Sequence, residues 1–237
     1  GLSPWMQKLP GGLVHVNVVG CALFAAISGS SAATVATVGK MSIPELRKRK
    51  YPESILLGSL AGSGTLGLLI PPSIILIIYG VTVQESIAKL FIAGVLPGIM
   101  IALIFMTYVI IWSSINKKLM PVSKQNFSFI EKFRKSGKLI PVILLILSVI
   151  GSIYTGVATA TEAASLGVVG ALILSYFQKS LTLKTFKASL LGATKTSCMI
   201  AFILAGATFL SLAMGFTGLP RNLAIWIESM DLSPYVL

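Results

Sequence analysis

The fold class that the sequence predicts is an all-α membrane protein that crosses the bilayer several times. Of the 237 residues, 55% are hydrophobic and 11% are charged, whereas a soluble domain carries about 25% charged residues. The mean hydropathy of +0.90 also indicates lipid as the solvent, and at about 20 residues per span the chain has room for about six crossings. This composition excludes a disordered chain and a soluble nucleic-acid-binding domain.

Basic residues mark the loops between the apolar runs. Most of the 19 lysines and arginines, which contribute to a net charge of +12, fall within residues 40–50, 117–138 and 179–195. By the positive-inside rule, these loops face the cytoplasm. Their expected partners are the anionic lipids of the membrane, and we expect no nucleic acid partner.

The first apolar run covers about residues 11–40 and is interrupted in its middle. Residues 11–39 carry no formal charge, but residues 28–31 place a glycine and three serines halfway along the run. Small residues allow a straight helix to pack closely against a neighbour. The same residues would also suit the tip of a re-entrant hairpin that reaches the membrane midplane. The spacing alone leaves both structures open.

The second apolar run, about residues 54–80, predicts a broken helix. It contains three glycines within residues 62–67 and two adjacent prolines, Pro71 and Pro72. Glycine weakens a helix interior and each proline removes a backbone donor, so this run does not form one straight helix. Backbone groups that are freed inside a membrane must be buried in protein, meet water or bind a ligand. This break is therefore the strongest indication of function in the residues themselves.

Residues 62–67 also match the G-x-G-x-x-G pattern of dinucleotide-binding proteins. That pattern needs a preceding strand, a helix that opens at it, and an acidic residue about 20 positions further on. Apolar residues and two prolines follow here instead, so we expect no nucleotide site. The chain also lacks a G-x-S-x-G elbow, a Walker lysine and an H-E-x-x-H pair, and we predict that it is not an enzyme and has no cofactor.

A further spanning helix is predicted at about residues 88–114. Gly94 and Gly98 give it the small-xxx-small spacing of closely packed membrane helices, which we interpret as structural. This helix closes the first half of the molecule, residues 1–116.

A basic connector, residues 117–138, separates this half from residues 139–237. Apolar side chains of the connector fall on one helical face, which predicts a helix that lies in the headgroup plane. These side chains belong to Phe127, Ile130 and Phe133.

The second half opens with two apolar runs, residues 139–158 and 162–177. They meet at Thr159 and Glu162, whose T-x-x-E spacing is that of a capping box at the start of the second helix. A carboxylate in a membrane helix is a functional candidate. The cap gives Glu162 a structural task, and we favour that interpretation. A last long apolar run covers residues 188–218.

His15 is the one histidine of the chain, and its two cysteines are Cys21 and Cys198. A lone histidine in an apolar run is more often a hydrogen-bonded core residue than a proton carrier. Neither cysteine has a metal-ligand or disulfide pattern around it, so both are interpreted as core residues.

Hydroxyl groups near the two interruptions suit a hard cation. Together with carbonyl groups released at the glycines, they are neutral oxygen ligands of the kind that bind Na⁺. Helix N-termini after Ser31 and at Pro71 would direct partial positive charge to the same region and favour a carboxylate substrate. Packing remains the alternative, because small residues also let helices approach closely. The hydroxyl groups belong to Ser28, Ser30, Ser31, Ser63, Thr65 and Ser73.

Four stretches of the chain resemble the large membrane subunit of TRAP (tripartite ATP-independent periplasmic) transporters. They read FAAISGSSAATV at 24–35, GTLGLLIPPS at 64–73, LFIAGVLPG at 90–98 and GVATATEAA at 156–164. The match runs through essentially the whole chain, and the combined order of the stretches is specific. The family usually has proline where this chain has Ala160, which makes the turn before Glu162 less rigid.

The resemblance implies an importer of an organic acid, of the C4-dicarboxylate or sialic acid type, that uses Na⁺ as its coupling ion. It implies inverted repeats of the ion-transporter-superfamily kind that work by an elevator motion in the bacterial inner membrane. Its implied partners are a small membrane (Q) subunit and a periplasmic substrate-binding protein (P subunit). It favours the re-entrant hairpin, and it places the second hairpin beyond Leu237, so the chain is expected to be an internal fragment.

By analogy with the family, the hairpin tip and the broken helix form a first sodium site. The sodium-site residues are Ser28, Gly29, Ser30, Ser31, Gly62, Ser63, Gly64 and Thr65. The residues near the substrate are Ser31, Pro71, Pro72 and Ser73, and no metal other than sodium is expected.

A second class of function stays open on the residues alone. A membrane scaffold or assembly subunit that transports nothing would use the same glycines and serines for helix packing. Sodium-dependent stabilisation separates the two classes, because a scaffold has no reason to prefer Na⁺ over K⁺.

Overall fold

The computed structural model describes residues 2–121, 131 and 136–230. Every regular element of this described part is helical, and no strand occurs in it, so the predicted all-α fold is confirmed. The chain divides into two compact units, Gly1–Leu174 and Ser175–Leu237. The side chains that predict an interfacial helix in the connector, Phe127, Ile130 and Phe133, lie outside the described residues.

The helices follow the apolar runs of the sequence. In chain order they are α1 (Ser3–Met6), α2 (His15–Ser28), α3 (Ser31–Lys48), α4 (Glu53–Gly64), α5 (Ile74–Val83), α6 (Ile87–Ile115), α7 (Ile140–Tyr154) and, across the boundary between the units, α8 (Ala160–Phe177). The second unit contains α9 (Leu183–Thr217) and α10 (Leu219–Glu228). Short 3-10 turns lie at Gly12–Val14, Thr65–Leu68, Lys117–Leu119 and Gly137–Leu139.

The first apolar run forms a helical hairpin, α2 and α3, rather than one straight helix. The helices are interrupted at Gly29 and Ser30, and they pack side by side, since a Cβ atom at Gly20 of α2 would lie 3.6 Å from Val38 of α3. Val38 is buried in a cluster with Leu60 of α4. With 14 residues, α2 is about 21 Å long and therefore shorter than the roughly 30 Å hydrocarbon core of a bilayer.

The second run is a broken helix, but the break lies later than the glycines indicate. The α-helix α4 continues to Gly64, tightens into the 3-10 turn at Thr65–Leu68, and gives way to non-helical backbone at residues 69–73 before α5 begins. Gly64 is the last residue of α4, and its lack of a side chain makes room for Val35 of α3. The adjacent prolines, joined by a cis peptide bond, supply no backbone donors to continue the helix.

Three helices of the described part are long and apolar enough to cross a membrane, namely α6, α8 and α9. The first of them matches the span predicted at residues 88–114, and Ser86 caps it by accepting the N–H of Lys89. Three further apolar stretches, α2 with its preceding turn, α5 and α7, are shorter. The polytopic membrane class is therefore confirmed.

The core of the first unit lies where α2, α3 and α4 meet one end of α6. Leu13, Tyr51, Leu56 and Val109 are buried there. The N–H of Leu13 donates to the Tyr51 hydroxyl at 3.1 Å, and the buried side-chain amide of Asn17 donates to the Leu56 carbonyl at 3.2 Å. Many large apolar side chains of the later helices are instead exposed, as expected for surfaces that face lipid or another protein.

In the second unit, α9 and α10 are joined at Gly218, which has a φ of +67°. A capping box of Thr182 and Thr185 begins α9, with the Thr185 N–H donating to Thr182 Oγ1 at 3.1 Å. No residue of α9 is buried by the described part of the chain, and Cys198 is accordingly exposed, whereas Cys21 of α2 is buried. The interpretation of both cysteines as core residues is thus correct for Cys21 and wrong for Cys198.

Candidate functional site

The tip of the α2–α3 hairpin is built from Gly29 and Ser30. Gly29 has a φ of +57°, a left-handed conformation that glycine adopts without a Cβ clash, and its N–H donates to the Ala25 carbonyl at 2.9 Å. Ser30 is extended, and its Oγ accepts the Ala33 N–H at 3.4 Å, which caps the next helix. A glycine followed by a serine therefore ends one helix and begins the next.

The hydroxyl groups of the tip bind one another and the backbone. Ser28 Oγ lies 2.8 Å from Thr34 Oγ1, and the Thr34 hydroxyl donates to the Ser30 carbonyl at 2.7 Å. The Ser30 N–H in turn donates to Ser28 Oγ at 3.4 Å. Thr34 is fully buried and is a member of this cluster that the sequence reasoning missed. Its position four residues after Ser30, one turn into the same helix, is the signal that identifies it.

The broken helix approaches this tip with its glycines. A Cβ atom at Gly67 would lie 2.8 Å from the Ser30 carbonyl carbon and from the Ser31 nitrogen. A Cβ atom at Gly64 would collide with the side chain of Val35 and lie 3.8 Å from the Ser31 carbonyl oxygen. Any side chain at these two positions would push the hairpin away. The contact thus depends on glycine, and Gly67 is a second residue that the sequence reasoning did not assign to the site.

The start of α5 touches the tip from another direction. The Ile74 N–H donates to the Gly29 carbonyl at 3.3 Å, and a Cβ atom at Gly29 would lie 3.0 Å from the Pro72 carbonyl oxygen. Since α3 begins at Ser31 and α5 at Ile74, two helix N-termini lie at this contact. Each N-terminus carries partial positive charge, so the pair favours an anion nearby.

The other predicted residues of the glycine-rich segment are engaged elsewhere. Gly62 faces α6, where a Cβ atom would lie 3.5 Å from a phenylalanine ring. The Ser63 side chain is buried and its hydroxyl donates to a carbonyl of the preceding turn of α4, while the exposed Thr65 hydroxyl donates to the Gly62 carbonyl at 2.7 Å. The contacts described for this segment with the tip are those of Gly64 and Gly67.

Three of the four residues predicted near the substrate lie in the break itself, and the fourth, Ser31, is the first residue of α3. Pro71 and Ser73 are buried, Pro72 is half-buried, and the Ser73 hydroxyl donates to the Leu68 carbonyl at 2.6 Å. Gly94 of α6 packs on the break, since a Cβ atom there would lie 3.6 Å from Pro71 Cγ. The small-xxx-small spacing of α6 therefore serves packing, as the sequence analysis interprets it.

The tip and the break offer neutral oxygen atoms rather than charges. The residues named at the contact carry hydroxyl and carbonyl oxygens and have no ionisable side chain. Among the described residues, no group of three or more His, Cys, Asp or Glu side chains is placed to hold a metal ion. Neutral oxygens are hard ligands that suit Na⁺. The arrangement can therefore attract a hard cation to its oxygens and an anion to its helix N-termini.

Glu162 and His15 both have structural hydrogen bonds. The N–H and the hydroxyl of Thr159 each donate to Glu162 Oε2 at 2.8 Å, and the Glu162 N–H donates to Thr159 Oγ1 at 3.3 Å. These are the reciprocal bonds of a capping box at the start of α8. His15 is buried, with Nε2 at 2.8 Å from the Pro10 carbonyl oxygen. Neither residue belongs to the contact between the tip and the break.

Helices that break opposite one another among apolar helices are typical of one class of protein, the secondary transporters with discontinuous helices. The chain belongs to the family described as "Tripartite ATP-independent periplasmic transporter, DctM component", whose model matches residues 6–237. This family is the one that the four sequence stretches resemble.

Relatives with assigned names are permease proteins. The chain is 36% identical over 227 residues to the C4-dicarboxylate TRAP transporter large permease protein DctM of Pseudomonas aeruginosa. The aligned region covers 95% of this chain and 52% of that protein. The chain is 33% identical over 232 residues to the sialic acid TRAP transporter large permease protein SiaM of Vibrio cholerae, with coverages of 97% and 53%. It is 34% identical over 223 residues to the isethionate TRAP transporter permease protein DctMQ of Oleidesulfovibrio alaskensis, with coverages of 92% and 34%.

The chain spans about half the length of the large permease proteins that it matches. The names of these relatives are those of permeases, in agreement with the expectation that the chain is not an enzyme. Three relatives that are named for three different substrates are 33% to 36% identical to the chain, so overall identity does not select a substrate.

Proposed function

We propose that the chain is part of the large membrane subunit of a sodium-coupled TRAP transporter that imports an organic acid. One observation carries this proposal, the approach of the hairpin tip to the broken helix, where a Cβ atom at Gly67 would lie 2.8 Å from the Ser31 nitrogen. That approach gathers the hydroxyl and backbone groups of two helix interruptions in one small volume. The proposal includes an elevator motion of two inverted repeats, with residues 1–116 in the first repeat and residues 139–237 opening the second.

The first sodium site of this proposal lies between the tip and the facing side of the broken helix. The hydroxyls of Ser28 and Thr34 and the carbonyl of Ser30 lie within hydrogen-bonding distance of one another. A hydroxyl that donates one hydrogen bond keeps lone pairs for a cation. The proposed set is Ser28, Gly29, Ser30, Ser31 and Thr34 on the tip, with Gly64 and Gly67 of the facing segment, which act by admitting the tip. The resemblance adds Gly62, Ser63 and Thr65 of the same segment, whose described contacts lie elsewhere.

The organic acid of this proposal binds beside the break, near Ser31, Pro71, Pro72 and Ser73. Its negative charge is attracted by the N-termini of α3 and α5. The substrates in the names of the relatives, C4-dicarboxylates, sialic acid and isethionate, are all organic acids that are anionic at neutral pH. A site that uses helix dipoles instead of a fixed lysine or arginine is compatible with each of them.

The partners of this proposal are a periplasmic substrate-binding protein and a small membrane subunit, in a bacterial inner membrane with the basic loops in the cytoplasm. The relative named DctMQ combines both subunit letters in one protein, and the chain covers only 34% of it against 52% of the DctM relative. The small subunit is therefore either separate or fused to the large one. A polybasic loop on the cytoplasmic face also attracts anionic lipids.

The direct test is uptake of labelled succinate, sialic acid and isethionate into proteoliposomes that hold the full-length subunit with its partners. Uptake of at least one acid is expected only with an inward Na⁺ gradient and the binding protein together. A gradient of K⁺ serves as the control. Uptake of no acid under any gradient would favour the scaffold alternative, and uptake without sodium would contradict the coupling.

Two variants test the site itself in the same assay. Ser30→Ala removes the cap of α3, and Gly64→Leu places a side chain against Val35, so both are expected to abolish sodium-driven uptake while the complex still assembles. Gly58→Leu is the matched control, because Gly58 lies in the same helix with nothing within 4 Å of its Cβ position. Unchanged uptake in both test variants would remove this site from the proposal.

A further inference from the structure

A pocket with a mixed polar and apolar lining lies away from the hairpin tip, where the amino-terminal segment meets the last turn of α6. It has a volume of about 370 Å³, and its lining includes Tyr51, Ser113 and Lys117. We propose that this pocket binds the phosphate headgroup of an anionic phospholipid. The site is independent of the sodium and substrate sites, and neither depends on it.

The pocket offers hydrogen-bond donors and a positive charge. Ser113 is 3% exposed, and its Oγ has no hydrogen-bond partner among the described residues. The Tyr51 hydroxyl accepts the N–H of Leu13 at 3.1 Å and keeps its own proton to donate. Lys117 adds an ammonium group, and no aspartate or glutamate is among the described residues of the lining. Ser113 Oγ is closed to solvent, so its side chain must rotate toward the pocket for a phosphate oxygen to supply the acceptor that it lacks.

The backbone of the amino-terminal segment is shaped to form this pocket. Gly11 has a φ of +96°, and a Cβ atom there would lie 2.6 Å from Val109 Cγ1 and 2.9 Å from Ser113 Oγ. A Cβ atom at Gly12 would lie 2.6 Å from the Tyr51 hydroxyl oxygen. Gly11 therefore lets the chain approach α6 and Gly12 lets it approach Tyr51, and together they form one wall of the half-open pocket.

The position of the pocket selects a lipid rather than a free anion. The spanning helix α6 ends at Ile115, and Lys117 and Lys118 follow at once, so the pocket lies at the depth of the headgroups. Basic residues at that depth attract anionic lipids. Leu9 and Met120 add apolar lining beside the polar groups, which suits the glycerol and first methylenes of a phospholipid.

The test is native mass spectrometry of the complete permease complex in detergent, titrated with phosphatidylglycerol. Lys117→Gln is expected to weaken the binding of one lipid about tenfold, since it removes a charge-assisted bond. Lys118→Gln is the matched control: it removes the same charge from the next residue, which does not line the pocket, and is expected to change binding less than twofold. Ser113→Ala is expected to weaken binding about threefold.

Two further arms identify the ligand. Phosphatidylcholine is expected to bind more weakly, because its choline group is repelled by Lys117, and inorganic phosphate at equal concentration is not expected to displace the lipid. Equal losses in Lys117→Gln and Lys118→Gln would show a surface-charge effect and overturn the proposal, as would full displacement by inorganic phosphate. If Lys117→Gln lowers the unfolding temperature without lipid, lipid binding by Ser113→Ala becomes the deciding measurement. Unchanged lipid binding in Ser113→Ala would then contradict the proposal that this pocket binds the headgroup.

Discussion

Two helix–break–helix motifs in this chain use the same residue types for different purposes. The first, α2 and α3, breaks at Gly29 and Ser30, and its tip touches another broken helix on two sides. The second, α7 and α8, breaks between Thr155 and Thr159. Its glycine, Gly156, has a φ of +72° with nothing within 4 Å of its Cβ position, and Glu162 of α8 accepts both donors of Thr159.

The difference shows that the role of a pattern of glycines and hydroxyls depends on which other elements of the fold contact it. In the α7–α8 motif, the exposed Glu162 carboxylate accepts the N–H and the hydroxyl of Thr159. These polar groups at the break are therefore satisfied within the motif. In the α2–α3 motif no acid is present at the tip, and the hydroxyls of Ser28 and Thr34 bond to each other and to the Ser30 carbonyl. The Gly29 carbonyl accepts the Ile74 N–H at the start of α5, in the broken helix. Polar groups that gather without charge at such a contact are suited to a transported ion.

The largest effect is expected where a side chain is forced between the tip and the broken helix. Gly67→Ala places a Cβ atom against the backbone of Ser30 and Ser31, which costs about 1 to 3 kcal/mol of overpacking or displaces the tip. We expect sodium-driven uptake to be lost and the thermal midpoint of the full-length complex to fall. Gly58→Ala, in open space, should leave uptake unchanged and gain up to about 1 kcal/mol from helix propensity. Equal uptake and equal thermal midpoints in the two variants would show that the contact at Gly67 has no special role.

Substitution of one left-handed glycine in each break compares the two breaks directly. Gly29→Ala and Gly156→Ala both place an alanine at positive φ, which costs roughly 1 to 2 kcal/mol. Only at Gly29 does the new Cβ atom also press on the Pro72 carbonyl oxygen. The thermal midpoint should therefore fall further in Gly29→Ala, and uptake should be lost only there. Loss of uptake in Gly156→Ala at normal expression would assign a role to the second break as well.

Removal of one hydroxyl tests the chemistry of the tip with little change in shape. Thr34→Val removes the donor to the Ser30 carbonyl and the contact with Ser28 Oγ, so the sodium concentration for half-maximal uptake is expected to rise about tenfold. In the control, Thr155→Val removes a hydroxyl that donates to the Gly151 carbonyl in the α7–α8 motif. An unchanged sodium dependence in Thr34→Val would exclude this hydroxyl from the ion site.

The smallest effect is expected for Glu162→Gln. Glutamine keeps the shape of the capping box but loses the negative charge that the helix N-terminus favours. The thermal midpoint should fall slightly, with sodium-driven uptake retained. Abolished uptake at normal assembly would show that this carboxylate takes part in transport and is not only a cap.

The sequence predicts the helical class, the two interruptions and the capping box of Glu162 because each depends on local chemistry. Glycine weakens a helix interior and proline removes a backbone donor, so clusters of these residues indicate interruptions, although single ones such as Gly20 and Pro97 stay helical here. The long hydrophobic runs predict the helices. The roles of Thr34 and Gly67 could not be predicted this way, since they depend on which face of one helix meets another. The position of the break at residues 69–73 also required the structure, because Gly64 lies within α4 although the glycines around it indicate an interruption there.

The central claim is that the contact between the tip and the broken helix binds sodium. The most direct measurement is the thermal midpoint of the full-length complex in NaCl and in KCl of equal ionic strength, for the unaltered protein, Gly67→Ala and Gly58→Ala. A ligand that binds the folded state raises the midpoint, so sodium is expected to stabilise the unaltered protein and Gly58→Ala but not Gly67→Ala. Equal midpoints in both salts for the unaltered protein, or equal sodium stabilisation of all three, would contradict the claim.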